Sequence, residues 1–135
     1  MTTGSTSESW SPPPDAGYLA HVLARMIAWE PLDMDVLLDD VADALDEVPV
    51  AAKDVPPLAD RLVAHLNRLG AIAIAAKIDE HDEDVARTIS HGARLRAVAL
   101  PDEPDLAHGH LRRIGWAVSE LADQLVKMRC LKGPA

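Results

Sequence analysis

From Leu111 onward, apolar residues recur at alternating steps of three and four: Leu111, Ile114, Val118, Leu121, Leu125 and Met128. That period sets every one of them on a single stripe of an α-helix, whereas a strand would scatter them over both faces. Such a stripe has to be hidden from water. The flanking positions, Gly115, Ala117, Ala122 and Gln124, are small or uncharged. A free-standing two-stranded coiled coil charges those positions. The segment therefore reads as a helix packed inside a bundle.

The rest of the chain agrees. Of its 135 residues 48% are hydrophobic, yet aromatics are only 3% and Phe is absent. Alanine and leucine cost little to hold in a helix, and most strand-favouring residues are missing. The expected fold is all-α: a compact bundle of about five helices over residues 15–132, behind a disordered Pro/Ser-rich leader at 1–14 that carries Trp10 and Pro12 to Pro14. The first helix starts after Asp15, aligns Leu19, Val22, Leu23, Met26 and Ile27, and ends near Trp29, ahead of Pro31. The second opens at Asp33 and aligns Met34, Leu37, Leu38, Val41, Leu45 and Val48. The third begins at Pro56 and Pro57, which suit a first turn, and runs through Leu58, Leu62, Leu66 and Leu69 into Ala71–Ala76, apolar all round and so expected to be buried on most sides. Gly70 inside it costs about 1 kcal/mol relative to alanine, a cost that a close helix crossing would offset; a kink is the alternative. An acidic run, Asp79–Asp84, then supplies the first turn of a fourth helix with Val85, Ile89, Gly92 and Leu95. Asp102 or Asp105 caps the fifth.

The formal charge is -9, from 22 acids and 13 bases. This opposes approach to nucleic-acid phosphates and anionic lipids, and no stretch has the length of a bilayer span. Neither direct nucleic-acid binding nor a membrane is expected. The single cysteine, Cys130, allows no internal disulfide, and with no export segment it points to the cytoplasm. Six histidines raise the question of a metal. Ligands on a helix need spacings of three or four, but His108 and His110 are two apart and diverge. His81 sits among Asp79, Glu80, Asp82 and Glu83, which could collect a divalent ion by density of charge alone, but it reads first as part of a solvated turn. Cys130 falls near a helix C-terminus, where the dipole opposes a thiolate. Ser90 and His91 are adjacent and diverge, and the glycines form no phosphate loop. No catalytic motif, metal or cofactor is predicted.

Charge and one aromatic leave candidate surfaces. The second helix carries Asp35, Asp39, Asp40, Asp43, Asp46 and Glu47 away from its apolar stripe, a solvated face or an acidic mimic of nucleic acid. Arg87, Arg94, Arg96, Arg112 and Arg113 oppose it in the fourth and fifth helices. Arg112 and Arg113 are expected to project outward, where they could hold an anionic ligand; pairing with acids of the second helix or of another subunit is the favoured reading, for little net stability. Trp116 falls opposite the apolar seam, beside Arg112, Arg113, Ser119, Glu120 and Asp123. An indole there requires a cover: another helix of the same domain, a second copy, or a ligand. The candidate ligand or partner surface is Trp116, Arg112, Arg113, Arg94, His91 and His110.

Three stretches carry a family resemblance. They are Leu58-Ala59-Asp60-Arg61-Leu62-Val63-Ala64-His65-Leu66; Glu83-Asp84-Val85-Ala86-Arg87 leading to Ala93-Arg94-Leu95-Arg96; and His110-Leu111-Arg112-Arg113-Ile114 with Ala117-Val118 and Leu121-Ala122-Asp123. Spread over residues 32–128, they make the chain resemble the small actinobacterial helical proteins of the DUF6415 family, which are linked to natural-product biosynthesis. The chain departs from that pattern in having no cysteine or acid partner in the fourth helix. The resemblance implies a helical fold and a tie to secondary metabolism, and brings no catalytic residues. The expected function is a non-catalytic, self-associating helical interaction protein, a homodimer accessory to such a pathway. The alternatives are a small-molecule or catalytic pocket edged by Arg94, Arg112, His91 or His110, and an acidic nucleic-acid mimic or regulator.

Overall fold

The computed structural model describes residues 17–19, 21–22 and 32–131. The leader with Trp10, and the first helix from Leu23 to Trp29, lie outside the described residues; 17–19 and 21–22 are helical. Four longer helices follow: α1 (Met34–Leu45), α2 (Val55–Ala75), α3 (Glu83–Ala97) and α4 (Pro104–Lys127). Short 3-10 turns, Ala52–Asp54 and Ile78–Glu80, precede α2 and α3. The fold is all-α, and no strand occurs among the described residues.

Helix α4 is the centre of the bundle. It packs on α1, α2 and α3, most extensively on α2. Its stripe Leu111, Ile114, Val118, Leu121 and Leu125 is fully buried, and so are the small residues beside it, Gly115, Ala117 and Ala122. A helix with neighbours on several sides needs exactly such small flanks to let them approach. At Gly115 a methyl group would stand 3.0 Å from the Cβ of Ala44, so α1 and α4 cross nearly backbone to backbone. Gly92 of α3 is filled by Leu66, whose Cδ2 would lie 3.0 Å from an added Cβ. Around Gly70 an added Cβ would meet nothing within 4 Å, so of the two alternatives there the close crossing does not occur; α1 and α4 cross closely at Gly115. Of the apolar run that follows Gly70, Ala71 and Ala73 are buried, while Ile72, Ile74 and Ala75 are only partly so and Ala76 is exposed.

The helix ends obey local chemistry. Asp33 accepts from the N–H groups of Asp35 and Val36 at 3.0 and 3.2 Å, and Asp82 accepts from Asp84 and Val85 at 2.9 and 3.0 Å. Both are N-caps that satisfy first-turn donors. Helix α4 differs from expectation: neither Asp102 nor Asp105 caps it. Glu103 occupies the cap without a side-chain bond, and Pro104 supplies a first residue that lacks the orphan donor. Helix α1 also stops earlier than its apolar spacing suggests. Asp46 turns to extended backbone and its carboxylate takes the N–H of Val48 at 3.1 Å, a local turn that competes with the helix. Val48 is left 73% exposed. After α4, Arg129 adopts φ 61° and Cys130 N–H reaches back to Leu125 O at 2.9 Å, closing the helix with the bond pattern usually built on glycine.

Candidate functional site

Helix α1 presents Leu37, Asp40, Val41 and Ala44 to the core. Asp40 shares that face because it lies three residues from Leu37 and four from Ala44, and it is only 6% exposed. It is therefore not part of the solvated acidic face. An ionised carboxylate so placed needs partners, and α2 supplies two from positions four apart on one face. Arg61 Nε donates to Asp40 Oδ1 at 3.1 Å, and His65 Nε2 pairs with Oδ2 at 2.8 Å. The histidine is nearly enclosed (14% exposed), while the guanidinium is half in water (50%). The cluster clamps α1 to α2. It orients an imidazole as a catalytic Asp–His pair does, but the hydrogen bonds show no nucleophile joined to it. Among the described residues, no three of His, Cys, Asp or Glu are grouped so as to hold a metal ion.

The expected surface residues part company. Arg112 bends back onto α1 and donates from one nitrogen to the carbonyls of Leu45 and Asp46, at 3.1 and 3.2 Å. It thus meets the backbone end of α1 rather than its acids, where a cation complements the helix dipole and satisfies C-terminal carbonyls. His110 is not on the surface. It follows Ala107 by three and precedes Ile114 by four, so it lies in the buried stripe of α4 at 5% exposure. Burial, and after it the nearby Arg113 guanidinium, hold its imidazole below the usual histidine range.

His91 and Arg94 do come together. Four and seven residues after Arg87 on α3, they line an open hollow of about 480 Å³ against Glu120 and Gln124 of α4, with Asp84 and Thr88. Arg87 is tied to Asp84 at 2.8 Å, and the Oε1 atom of Gln124 is buried without a partner. Both acids and arginines line this hollow, so it offers no single charge to a ligand. Trp116, in the middle of α4, is 59% exposed, with Arg113, Glu120 and Asp123 exposed on the same side. No helix among the described residues encloses its ring.

Arg61, His65 and the buried role of Asp40 were not picked out as a site from sequence. The available signal was an acid inside an apolar stripe together with an Arg and a His four apart in the next helix.

Fold and surface together define a small all-α bundle pinned by one buried carboxylate and showing an aromatic on its central helix. No helix among the described residues is long and apolar enough to cross a membrane. The chain belongs to a family of unknown function, DUF6415, whose model matches residues 35–130. No curated protein and no solved structure matches it.

Proposed function

We propose that the chain is a non-catalytic helical interaction protein that pairs with a second copy of itself through the outer face of α4. The observation that carries this reading is Trp116, exposed at the centre of the best-anchored helix. Hiding the open part of an indole, of order 100 Å², is worth roughly 2–3 kcal/mol. An isologous contact counts that gain twice. Association costs at least about 4 kcal/mol in lost freedom, so the two indoles do little more than offset it, and a dimer with a Kd of about tens of micromolar, about 6 kcal/mol, draws the remainder from the apolar and charged contacts around them.

Charge favours one arrangement. Arg113 lies three residues before Trp116, and Glu120 and Asp123 lie four and seven after it. A two-fold axis beside Trp116 and across α4 makes the two α4 helices antiparallel, so that Arg113 of each copy faces Glu120 of the other. A parallel pair would set like charges against each other. A setting in natural-product biosynthesis, with such a dimer as an accessory component rather than the enzyme, is part of this proposal; the matched family is itself of unknown function. The lone cysteine and the acidic charge support the cytoplasm as its place.

Sedimentation velocity over a concentration series tests the pairing. The wild type is expected to shift from monomer to dimer, Trp116→Ala to remain monomeric with unchanged helical circular dichroism, and Arg113→Glu to weaken a dimer that the added Glu120→Arg restores. A wild type that is strictly monomeric, or a dimer indifferent to Trp116→Ala, overturns the proposal.

A further inference from the structure

Three large apolar side chains of α4 and its C-terminal cap are exposed: Leu106 near the start, Trp116 in the middle and Met128 at the cap. Leu106, Arg113 and Glu120 follow one another in steps of seven, about two helical turns each, so they run along one edge of the outer face. Met128 lies one residue past the next step, at the far end of that edge. Trp116 lies beside the middle of it. The core takes the opposite side of the helix, with Ile114, Val118 and Leu121 buried there.

In an antiparallel pair of identical helices, residues equally far from the two-fold axis on either side face each other. The Arg113–Glu120 contact puts that axis between Trp116 and Ala117. Leu106 and Lys127 are then equally far out, and so are Asp105 and Met128, one residue beyond them. All four are exposed. An acid with a leucine therefore meets a base with a methionine at each end of the interface. Read in reverse through its centre, the face exchanges basic for acidic and keeps apolar as apolar. A partner of different sequence places no such demand on a face, because only a second copy meets it from both ends at once. Lys127 is bound to Asp123 of its own helix at 3.0 Å, but both groups are largely in water, so trading that bond for one to Asp105 costs little.

We infer that the second copy is met along the whole length of α4: Leu106 of each chain packs on Met128 of the other and Asp105 faces Lys127, at both ends of a central pair of indoles. This register rests on the pairing proposed above and extends it from Trp116 to the full helix. The two apolar end contacts, with the ion pairs beside them, supply the part of the affinity that the indoles do not. Methionine suits its place, since its unbranched side chain adapts to a leucine that lies one residue out of step.

Cross-linking of full-length chains that carry one cysteine each, in a Cys130→Ser background, tests it. Leu106→Cys and Met128→Cys are made in separate chains, mixed, and treated with a short bismaleimide at concentrations where sedimentation shows dimer. The mixture is expected to give a cross-linked dimer and each variant alone is not. In this register Leu106 lies about 30 Å from its own counterpart in the partner, at 1.5 Å per residue along the helix, and Met128 lies about as far from its own. Trp116→Ala added to both chains removes the product, which separates pairing from random collision. Leu106→Ala and Met128→Ala are each expected to weaken the dimer about tenfold, because every substitution acts at two places. Helical circular dichroism stays unchanged, since both positions are exposed. Either variant linking to itself as well as the mixture does, or no product from a mixture that dimerises through Trp116, overturns this register and leaves the pairing standing. A wild type that stays monomeric overturns both.

Discussion

Replacing the helical glycines one at a time with alanine separates helix propensity from helix contact. In a helix interior this substitution gains about 1 kcal/mol when the new methyl meets no obstacle. At Gly70 an added Cβ has nothing within 4 Å, so Gly70→Ala is expected to realise that gain in full. At Gly115 the same methyl lands 3.0 Å from Ala44 Cβ, well inside the ordinary carbon–carbon contact of about 3.5–4.0 Å. Neither carbon can rotate away, since each is fixed to its own backbone. Only a separation of α1 from α4 relieves the overlap, and Ala44 is wholly buried in a filled core. Overpacking of this kind costs about 1–3 kcal/mol, so Gly115→Ala nets from roughly neutral to 2 kcal/mol destabilising.

The two variants should then differ by about 1–3 kcal/mol, or several degrees in Tm for a chain of this size. Gly92→Ala falls between them, because the obstacle is the branched end of Leu66, which can turn. Urea denaturation followed by circular dichroism measures all three. If Gly115→Ala stabilises as much as Gly70→Ala does, α1 and α4 do not cross at Gly115 and the account of the core is wrong.

Two further outcomes follow from the buried polar groups. Asp40→Ala strands His65 and Arg61 and is expected to cost about 2–3 kcal/mol, whereas Arg61→Ala costs less than about 1 because its guanidinium is half in water; urea midpoints in the reverse order would refute the clamp. His110 titrates lower in the folded chain than in the unfolded one, so the unfolded state takes up its proton first as pH falls. Stability is therefore full above the ordinary histidine value of 6.5 and declines as pH drops from there toward the folded value. His110→Leu should flatten that segment of a plot of urea midpoint against pH, and an unchanged slope would show that His110 is not the group responsible.

The parts of this fold that sequence makes readable are those fixed by nearest neighbours along the helix. The Leu111–Leu125 stripe, the cap at Asp33 and the start of α3 within the acidic run all occur where periodicity and local chemistry put them, although only Glu83 and Asp84 of that run lie in the first turn of α3. What depends on a second helix was not readable in the same way. Arg112 lies on the carbonyls of Leu45 and Asp46 only because α1 ends at Leu45, and nothing near Arg112 in the chain encodes that end. For Asp40 and His110, the sequence reading gave residue type more weight than position. Both fall on positions that the helical period assigns to the core, and both are buried there.

Trp116 is the converse, an apolar residue at a position the same period assigns to water, and again position decides, leaving the ring exposed. The three misfits differ in how their chemistry is answered. Asp40 finds an arginine and a histidine within the fold, and the neutral form favoured at His110 is the form that tolerates burial. Those two have structural explanations inside the chain. Conflicts between local chemistry and position tend to mark strained or functional sites when nothing internal resolves them. Among the described residues Trp116 is the one of the three left unanswered, and for that reason the search for a partner begins on its face of α4.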